Sequence, residues 1–313
     1  MTNLALTKRR LGRTGFEVTA LGMGGAHLGR TAPGSTEYSD DLAVATVHRG
    51  LELGLNVIDT SPMYGESQRR VGLALAQWRS AEVTREDIII STKTGRGPDG
   101  SKDYSAAATR RSVERSLELL QTDYLDILLV HDPDNLGQVL DPGNALEALL
   151  KCKEDGLIRA IGLGCRPHEF HRACIATGHF DLSLTFCDYN LLDRSAVQGV
   201  LIPAAAHDVG VYNGAAVMLG LLSDEDPRRV AQRRPGFATA QRLRLATQLW
   251  DWCQQRDLSL LALNLQFCLR ESRIASTLVG VTNPQLLEAD VAAVAEAIPE
   301  DLWQEFHERF GIS

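Results

Sequence analysis

Four side chains that are costly to bury stand at or just past the ends of three consecutive apolar runs. Leu55-Asn56-Val57-Ile58 ends in Asp59, with Tyr64 five residues on. Ile88-Ile89-Ile90 is followed by Ser91-Thr92-Lys93, and Leu125 to Val130, interrupted only by Asp126, ends in His131. A carboxylate, a phenol, an ammonium and an imidazole at one end of neighbouring strands point to a shared site. A free tyrosine has a pKa near ~10 and is a poor base at neutral pH. An adjacent ammonium favours its phenolate, so Lys93, held charged and oriented by Asp59, is expected to lower the Tyr64 pKa. Tyr64 then gives or takes a proton near physiological pH, while His131 hydrogen-bonds and polarises a substrate oxygen. Such a set suits moving a proton while a hydride moves elsewhere. The plain structural readings are an Asp59–Lys93 ion pair, a surface tyrosine, and a histidine that caps a strand ahead of Asp132-Pro133.

The elements that must position these residues alternate between strand and helix patterns. A hairpin is expected from Lys8–Leu11 and Phe16–Val18 around Gly12-Arg13-Thr14-Gly15, where glycine supplies the positive φ of the turn. Strands are expected at Thr19–Met23, Val57–Asp59, Ile88–Thr92, Leu125–Val130, Ile158–Leu163, Leu182–Phe186, Val209–Tyr212 and Ser276–Val279. Helices are expected at Asp40–Glu52, Ser67–Trp78, Ala107–Leu120, Pro142–Glu154, Pro167–Ala176, Arg194–Ala206, Ala238–Arg256, Ser259–Leu269, Pro284–Ala297 and Asp301–Arg309. This is the pattern of an α/β chain folded as a (β/α)8 TIM barrel, with an N-terminal β-hairpin and extra C-terminal helices. A doubly wound sheet also alternates, but Gly22-Met23-Gly24-Gly25 lacks the third glycine of its fingerprint. The expected organisation is a single domain over residues 1–313. The segment Ser223–Phe237, rich in Asp, Arg and Pro, is long enough to read as a lid.

Composition narrows the function classes. The apolar fraction of 44% supports a sizeable core, and a net charge of −8 without a basic stripe argues against a nucleic-acid partner. No run approaches the roughly 18–20 apolar residues that span a bilayer, and Met1 to Arg10 does not read as a secretory signal. Six scattered cysteines without a CxxC pair read as core thiols of a cytoplasmic protein. His168-Glu169-Phe170-His171 places two imidazoles at i, i+3, and with His131 would suit a metal-dependent barrel hydrolase only with further ligands. His179 and His207 read as exposed.

The segment Gly54-Leu55-Asn56-Val57-Ile58-Asp59-Thr60-Ser61-Pro62-Met63-Tyr64-Gly65 closely resembles a signature of the aldo-keto reductase family. Lys93, His131 and Val279-Gly280-Val281-Thr282-Asn283-Pro284 match the same family's pattern, so the resemblance spans nearly the whole chain. It implies a (β/α)8 barrel that binds NAD(P), with Tyr64 as general acid/base, Lys93 and Asp59 tuning it, and His131 orienting the substrate. Within the family, Arg10-Leu11-Gly12-Arg13-Thr14-Gly15, Thr60-Ser61-Pro62-x-Tyr64-Gly65, His131-Asp132, Ile161-Gly162-Leu163-Gly164-Cys165 and Phe186-Cys187-Asp188-Tyr189 resemble the aldose 1-dehydrogenases acting on L-galactose, L-fucose or D-arabinose. The implied cofactor contacts are Gly24, Gly25, Asp59, Cys165, Asn213, Gly214, Gly280, Val281, Thr282, Asn283 and Leu286. The implied substrate contacts are Met63, Tyr64, His131, Asp132 and Asp188.

The chain also departs from the family's pattern. Gly164-Cys165 stands where many members carry Ser-Asn, Phe186 where Gln is usual, and Tyr212-Asn213-Gly214-Ala215 where Tyr-Ser-Pro is usual. Gly280 and Leu286 occupy positions that carry cationic side chains in NADP-preferring members, which favours NAD, with Arg273 the remaining cation in reach. The resulting expectation is NAD(P)-dependent oxidation of a sugar to a lactone. The alternatives are an NADPH-dependent aldehyde or ketone reductase using the same four residues, a metal-dependent hydrolase, and a non-catalytic NAD(P)-binding subunit.

Overall fold

A computed structural model of the chain describes residues 4–29, 39–236 and 238–312. Strands β1 (Lys8–Arg10) and β2 (Glu17–Thr19) pair antiparallel with Arg9 opposite Val18, forming the expected hairpin. The following strands are all parallel: β3 (Leu21–Gly24), β4 (Val57–Asp59), β5 (Ile89–Thr94), β6 (Leu125–His131), β7 (Ile158–Gly164), β8 (Leu182–Phe186), β9 (Gly210–Gly214) and β10 (Ser276–Gly280). They close into a barrel in the order β10-β3-β4-β5-β6-β7-β8-β9, so chain order is spatial order and the last strand returns to the first.

Helices α1 (Asp40–Glu52), α2 (Ser67–Gln77), α3 (Ala106–Leu120), α4 (Gly137–Leu140), α5 (Ala145–Glu154), α6 (His168–Ala176), α7 (Ile202–Ala206), α8 (Pro227–Arg233), α9 (Ala240–Gln254), α10 (Leu260–Arg270), α11 (Pro284–Ala295) and α12 (Glu300–Phe310) complete the fold. Several begin where a side-chain oxygen takes an orphan N–H of the first turn. Ser39 accepts from Leu42 at 3.1 Å, Ser259 from Ala262 at 2.9 Å and Asn283 from Leu286 at 2.8 Å.

Apolar residues divide between two layers. One fills the barrel interior with Val57, Ile89, Ile127, Leu129, Leu182, Leu184, Tyr212 and Leu278. Leu11, Phe16 and Val18 from the hairpin belong to the same cluster, so the hairpin seals the N-terminal end of the barrel. The second layer lies between strands and helices and includes Ile58, Ile90, Leu128, Val130, Ile161 and Leu163. Strands buried on both faces explain the continuous apolar runs of the sequence.

The structure moves several expected boundaries. The helix expected from Pro142 starts at Ala145, because Gly143 adopts φ +81° and Asn144 is extended. The helix expected from Arg194 opens as a π-turn over Val197–Leu201. Pro203 has no N–H for the carbonyl of Gly199, and Arg172 donates to that carbonyl instead at 3.5 Å. The expected Ser223–Phe237 loop contains α8, and Phe237 lies outside the described residues. His179 and His207 are exposed.

Asp126, the polar interruption of the third apolar run, is fully buried at the closed end of the barrel. Its carboxylate accepts from Arg85 at 2.9 Å, Arg159 at 3.1 Å and the backbone of Ile90 at 3.0 Å. Replacing it removes a buried anion from two partly exposed guanidinium groups. Asp126→Leu should therefore cost about 2 kcal/mol, read as a Tm lower by ~5 °C in a thermal melt. Turnover per folded molecule should be unchanged, because the opposite end of the barrel carries the site described below.

Candidate functional site

At the open end, Asp59 closes β4, Lys93 lies near the end of β5 and His131 closes β6. β5 sits between β4 and β6 in the sheet, so the three side chains arise from adjacent strands. Asp59 and Lys93 are almost fully buried, at 4% and 1% exposure. The Lys93 Nζ donates to Asp59 Oδ2 at 2.6 Å and to the carbonyl of Thr60 at 2.8 Å, while Ser91 Oγ donates to Asp59 Oδ1 at 2.7 Å. An ammonium has three protons. The third is left for Tyr64, whose ring centre lies 4.8 Å from Nζ and whose phenol interacts with Lys93 by charge and hydrogen bonding. Burial opposes the Lys93 charge, but the Asp59 carboxylate and the Tyr64 oxygen outweigh it and hold the ammonium pKa above its usual value.

Tyr64 is positioned by its loop. Tyr64 N–H donates to the carbonyl of Ser61 at 3.0 Å, Glu66 N–H donates to that of Gly29 at 3.2 Å, and Gly65 takes φ +56°. A Cβ on Gly29 would fall 1.3 Å from the Tyr64 carbonyl oxygen, so only glycine permits this approach. The sequence reading has Lys93 lowering the Tyr64 pKa; the structure corrects the net direction. Burial is the larger influence and raises the phenol above its ordinary value, with Lys93 offsetting it only in part.

His131 faces Tyr64 edge-on, ring centres 5.9 Å apart at 88°. Burial, followed by the charges of Lys93 and Arg96, pushes its pKa down to about 2, so the imidazole is neutral at every working pH. Ser61 Oγ lies 3.1 Å from Nδ1 and already accepts the Met63 N–H at 3.2 Å, leaving its hydroxyl proton for Nδ1. Asp132 Oδ2 lies 3.8 Å from Nε2. Both contacts favour the Nε2–H tautomer, which presents a donor to the cleft. Asp132 adopts φ +44°, a conformation uncommon outside glycine, and receives Arg96 Nη1 at 3.2 Å. Tyr104 Oη reaches both the His131 and Asp132 carbonyls, at 2.7 and 2.8 Å, and its ring fills the space that a side chain at Gly95 would take.

These groups open into a cleft of about 580 Å³, a size ordinary for a cofactor or small-molecule site. Of the residues expected from the sequence, Gly24, Asp59, Met63, Tyr64, Lys93, His131, Asp132, Gly214, Gly280, Thr282 and Leu286 line it. Gly25, Cys165, Asp188, Asn213, Val281 and Asn283, also expected from the sequence, are not among the lining residues. Asp188 turns inward, where it accepts from Thr185 Oγ1 and faces His168 Nε2 at 2.7 Å, tying the end of β8 to α6. Asn213 Nδ2 donates to the carbonyl of Tyr189 at 3.0 Å, and Asn283 caps α11. Cys165 is buried with its sulfur 3.5 Å from His171 Nε2. His168 and His171 thus face separate partners, and among the described residues no three His, Cys, Asp or Glu side chains gather as metal ligands. No helix among the described residues is long and apolar enough to cross a membrane.

Sequence reasoning missed other lining residues. Phe186 lines the cleft, whereas the aromatic of β9, Tyr212, is wholly buried in the barrel interior. His27, residues 215–217, Leu219, Gly220, Arg234, Leu261 and Asp290 also contribute. Asp290 had a usable signal, since it follows the expected contact Leu286 by four residues and shares its helix face. Arg273, the cation the sequence left in reach, does not line the cleft; its guanidinium is taken by Glu271 at 2.5 and 2.7 Å.

A dinucleotide would suit the cleft, which gathers several of the residues that the sequence assigns to such a ligand. The cleft runs from the Tyr64–His131 end to Gly280, Thr282 and Leu286, with Gly24 and Gly280 in its wall. A Cβ on Gly280 would come within 2.9 Å of the His27 ring, and one on Gly24 within 3.1 Å of the Val279 carbonyl. Close packing against these neighbours therefore favours glycine at both positions.

Comparison with known proteins agrees with the barrel fold. L-galactose dehydrogenase of Arabidopsis thaliana is 34% identical over 304 residues, covering 95% of this chain and 90% of that protein. D-threo-aldose 1-dehydrogenase of a Pseudomonas species is 28% identical, covering 97% and 98%. The holo form of an aldo-keto reductase from Bacillus halodurans superposes with a TM-score of 0.74 at 27% identity, covering 94% of this chain and 92% of that one. The profile of the aldo/keto reductase family matches residues 20–309. The chain belongs to the aldo/keto reductase family, whose members are oxidoreductases that use nicotinamide cofactors.

Proposed function

We propose that this protein oxidises an aldose at its anomeric carbon to the lactone, with a nicotinamide dinucleotide, NAD in preference to NADP, as acceptor. The observation that carries the reading is the buried Asp59–Lys93 pair presenting its remaining proton to Tyr64, opposite a neutral His131. Hydride acceptance is the one chemical contribution that the bound dinucleotide makes. The chain's residues do the rest. His131 Nε2–H donates to the C1 oxygen and fixes it beside Tyr64. Tyr64, as phenolate stabilised by Lys93, takes the proton of the C1 hydroxyl as C1 gives up its hydride, and the C1–O bond becomes a carbonyl. The half-buried phenol then returns its proton to solvent. Met63 and Asp132 line the cleft with His131, and Asp132 would accept from sugar hydroxyls. Gly24, Gly214, Gly280, Thr282 and Leu286 would hold the dinucleotide. Uncharged Gly280 and Leu286, with Arg273 engaged elsewhere, support NAD. The similarity to two enzymes named aldose or L-galactose dehydrogenases supports the sugar.

One observation favours a second reading. The raised Tyr64 pKa leaves the phenol protonated in the free protein, which suits donation to a carbonyl in an NADPH-dependent aldehyde or ketone reductase. Assay of NAD and NADP against L-galactose, L-fucose and D-arabinose separates the two. NAD reduction with at least one aldose and formation of its lactone is expected. No turnover of any aldose, with ready NADPH-dependent aldehyde reduction, would establish the second reading instead.

The pH dependence has a definite sign. Oxidation needs the phenolate, and burial has raised its pKa above the ordinary 10.0. The kcat/KM for oxidation should climb about tenfold per pH unit from neutrality towards alkaline pH. His131 should add no limb between pH 5 and 8, because it stays neutral there. Tyr64→Phe should lower kcat by roughly 10²–10⁴-fold and leave dinucleotide affinity measured by calorimetry unchanged. A bell-shaped profile centred near pH 6.5, or an active phenylalanine variant, would contradict the assignment.

A further inference from the structure

The proposed chemistry leaves two charged residues of the cleft unused. Asp290 lies on α11, one turn after Leu286, and lines the same wall as Thr282 and Gly280. Arg234 follows α8 and lines the cleft with Leu219, Gly220, Ser223 and Leu261. Among the described residues neither side chain has a hydrogen-bond or ion-pair partner. No ion pair joins the two, so space remains between them. Their neighbours behave differently: Arg228 pairs with Asp226 at 2.7 Å, and Arg233 pairs with Glu225 at 2.5 Å. Asp290 and Arg234 thus stand unmatched in the cleft wall, whereas Asp59, Lys93 and Asp132, which also line it, are paired.

An unpaired carboxyl in a partly buried wall is costly, and it is retained at ligand sites where hydrogen-bond donors arrive with the ligand. Burial alone moves Asp290, up to about 7, with no neighbouring cation to offset it. A guanidinium without a partner calls for an anion. A dinucleotide carries both complements in fixed order: a diphosphate near its middle and a ribose diol with an exocyclic amine at its adenosine end. An acidic side chain that accepts from the ribose hydroxyls is a general device for NAD, because a 2′-phosphate meets it as a like charge.

Building on the proposed dinucleotide site, we propose that Asp290 accepts hydrogen bonds from the adenosine ribose hydroxyls, that Arg234 meets the diphosphate, and that Asp290 rejects the 2′-phosphorylated cofactor. Discrimination thus comes from an acid that repels NADP as well as from the absence of cations at Gly280 and Leu286. Arg234 binds both cofactors alike and contributes affinity without selectivity.

Isothermal titration calorimetry of the full chain with NAD, NADP and ADP at about pH 8.5, where Asp290 is ionised, tests this. The wild type should bind NAD about tenfold or more tighter than NADP. Asp290→Asn should tighten NADP and reduce that ratio to about threefold or less, and Asp290→Ser should do the same. Arg234→Ala should weaken NAD, NADP and ADP by similar factors of about ten. Thermal melts check that each variant folds. An unchanged NAD/NADP ratio in both Asp290 variants overturns the assignment of Asp290, and a loss confined to NADP, or no loss at all, in Arg234→Ala overturns that of Arg234. Failure of the wild type to bind either dinucleotide overturns the cofactor reading itself and this inference with it.

Discussion

A buried ion pair, Asp59 with Lys93, is the constraint on which the open end of this barrel depends. Removing an ammonium and a carboxylate from water costs several kcal/mol per ion, and their attraction repays it only when the remaining lone pairs and protons are satisfied. Here Ser91 saturates one carboxylate oxygen, the Thr60 carbonyl takes a second ammonium proton, and one proton is left over. That proton is the reason for a tyrosine at the mouth. A phenol in the same half-buried place without the ammonium would be a weaker acid still, because burial already pushes its pKa upward.

The fold supplies this arrangement by ordering. Parallel neighbours β4, β5 and β6 end on the same side, and the hairpin occupies the other side, so polar side chains at strand ends reach solvent and ligand at one mouth only. Glycine at positions 29 and 95 lets loops press against Tyr64 and Tyr104. Tyr104 in turn fixes the carbonyls at the end of β6, which orients His131 and the strained Asp132. The neutrality of His131 follows first from its burial and then from the charges of Lys93 and Arg96. The ammonium that favours a phenolate on one side disfavours an imidazolium on the other.

Much of this was legible in the chain. Asp59, Lys93 and His131 stood out because each breaks or follows an apolar run whose length fixes its place at a strand end. Asp126 interrupts a run too, and periodicity alone does not say that it sits at the sealed end between Arg85 and Arg159. The helix starts at Ala145 and the π-turn before α7 escaped because glycine, asparagine and proline act there through backbone geometry rather than hydropathy. Asp188 looked like a cleft residue by its position after a strand, yet it turns to His168, a partner invisible at a separation of twenty residues. Phe186 and Tyr212 could not be told apart as cleft and core aromatics, since strand ends alternate faces and one residue of register decides. The sign of the Tyr64 shift also depends on depth, which sequence does not give.

The central claim is that the Lys93 ammonium, held by Asp59, favours the Tyr64 phenolate against the cost of burial. An ultraviolet difference titration, in which the signal of the protein lacking the Tyr64 hydroxyl is subtracted from that of its parent, isolates this one ionisation. Run in the native background and again with Lys93→Met, it should place the Tyr64 transition at distinctly higher pH once the ammonium is gone. A Tyr64 transition that stays at the same pH without Lys93 would contradict the account.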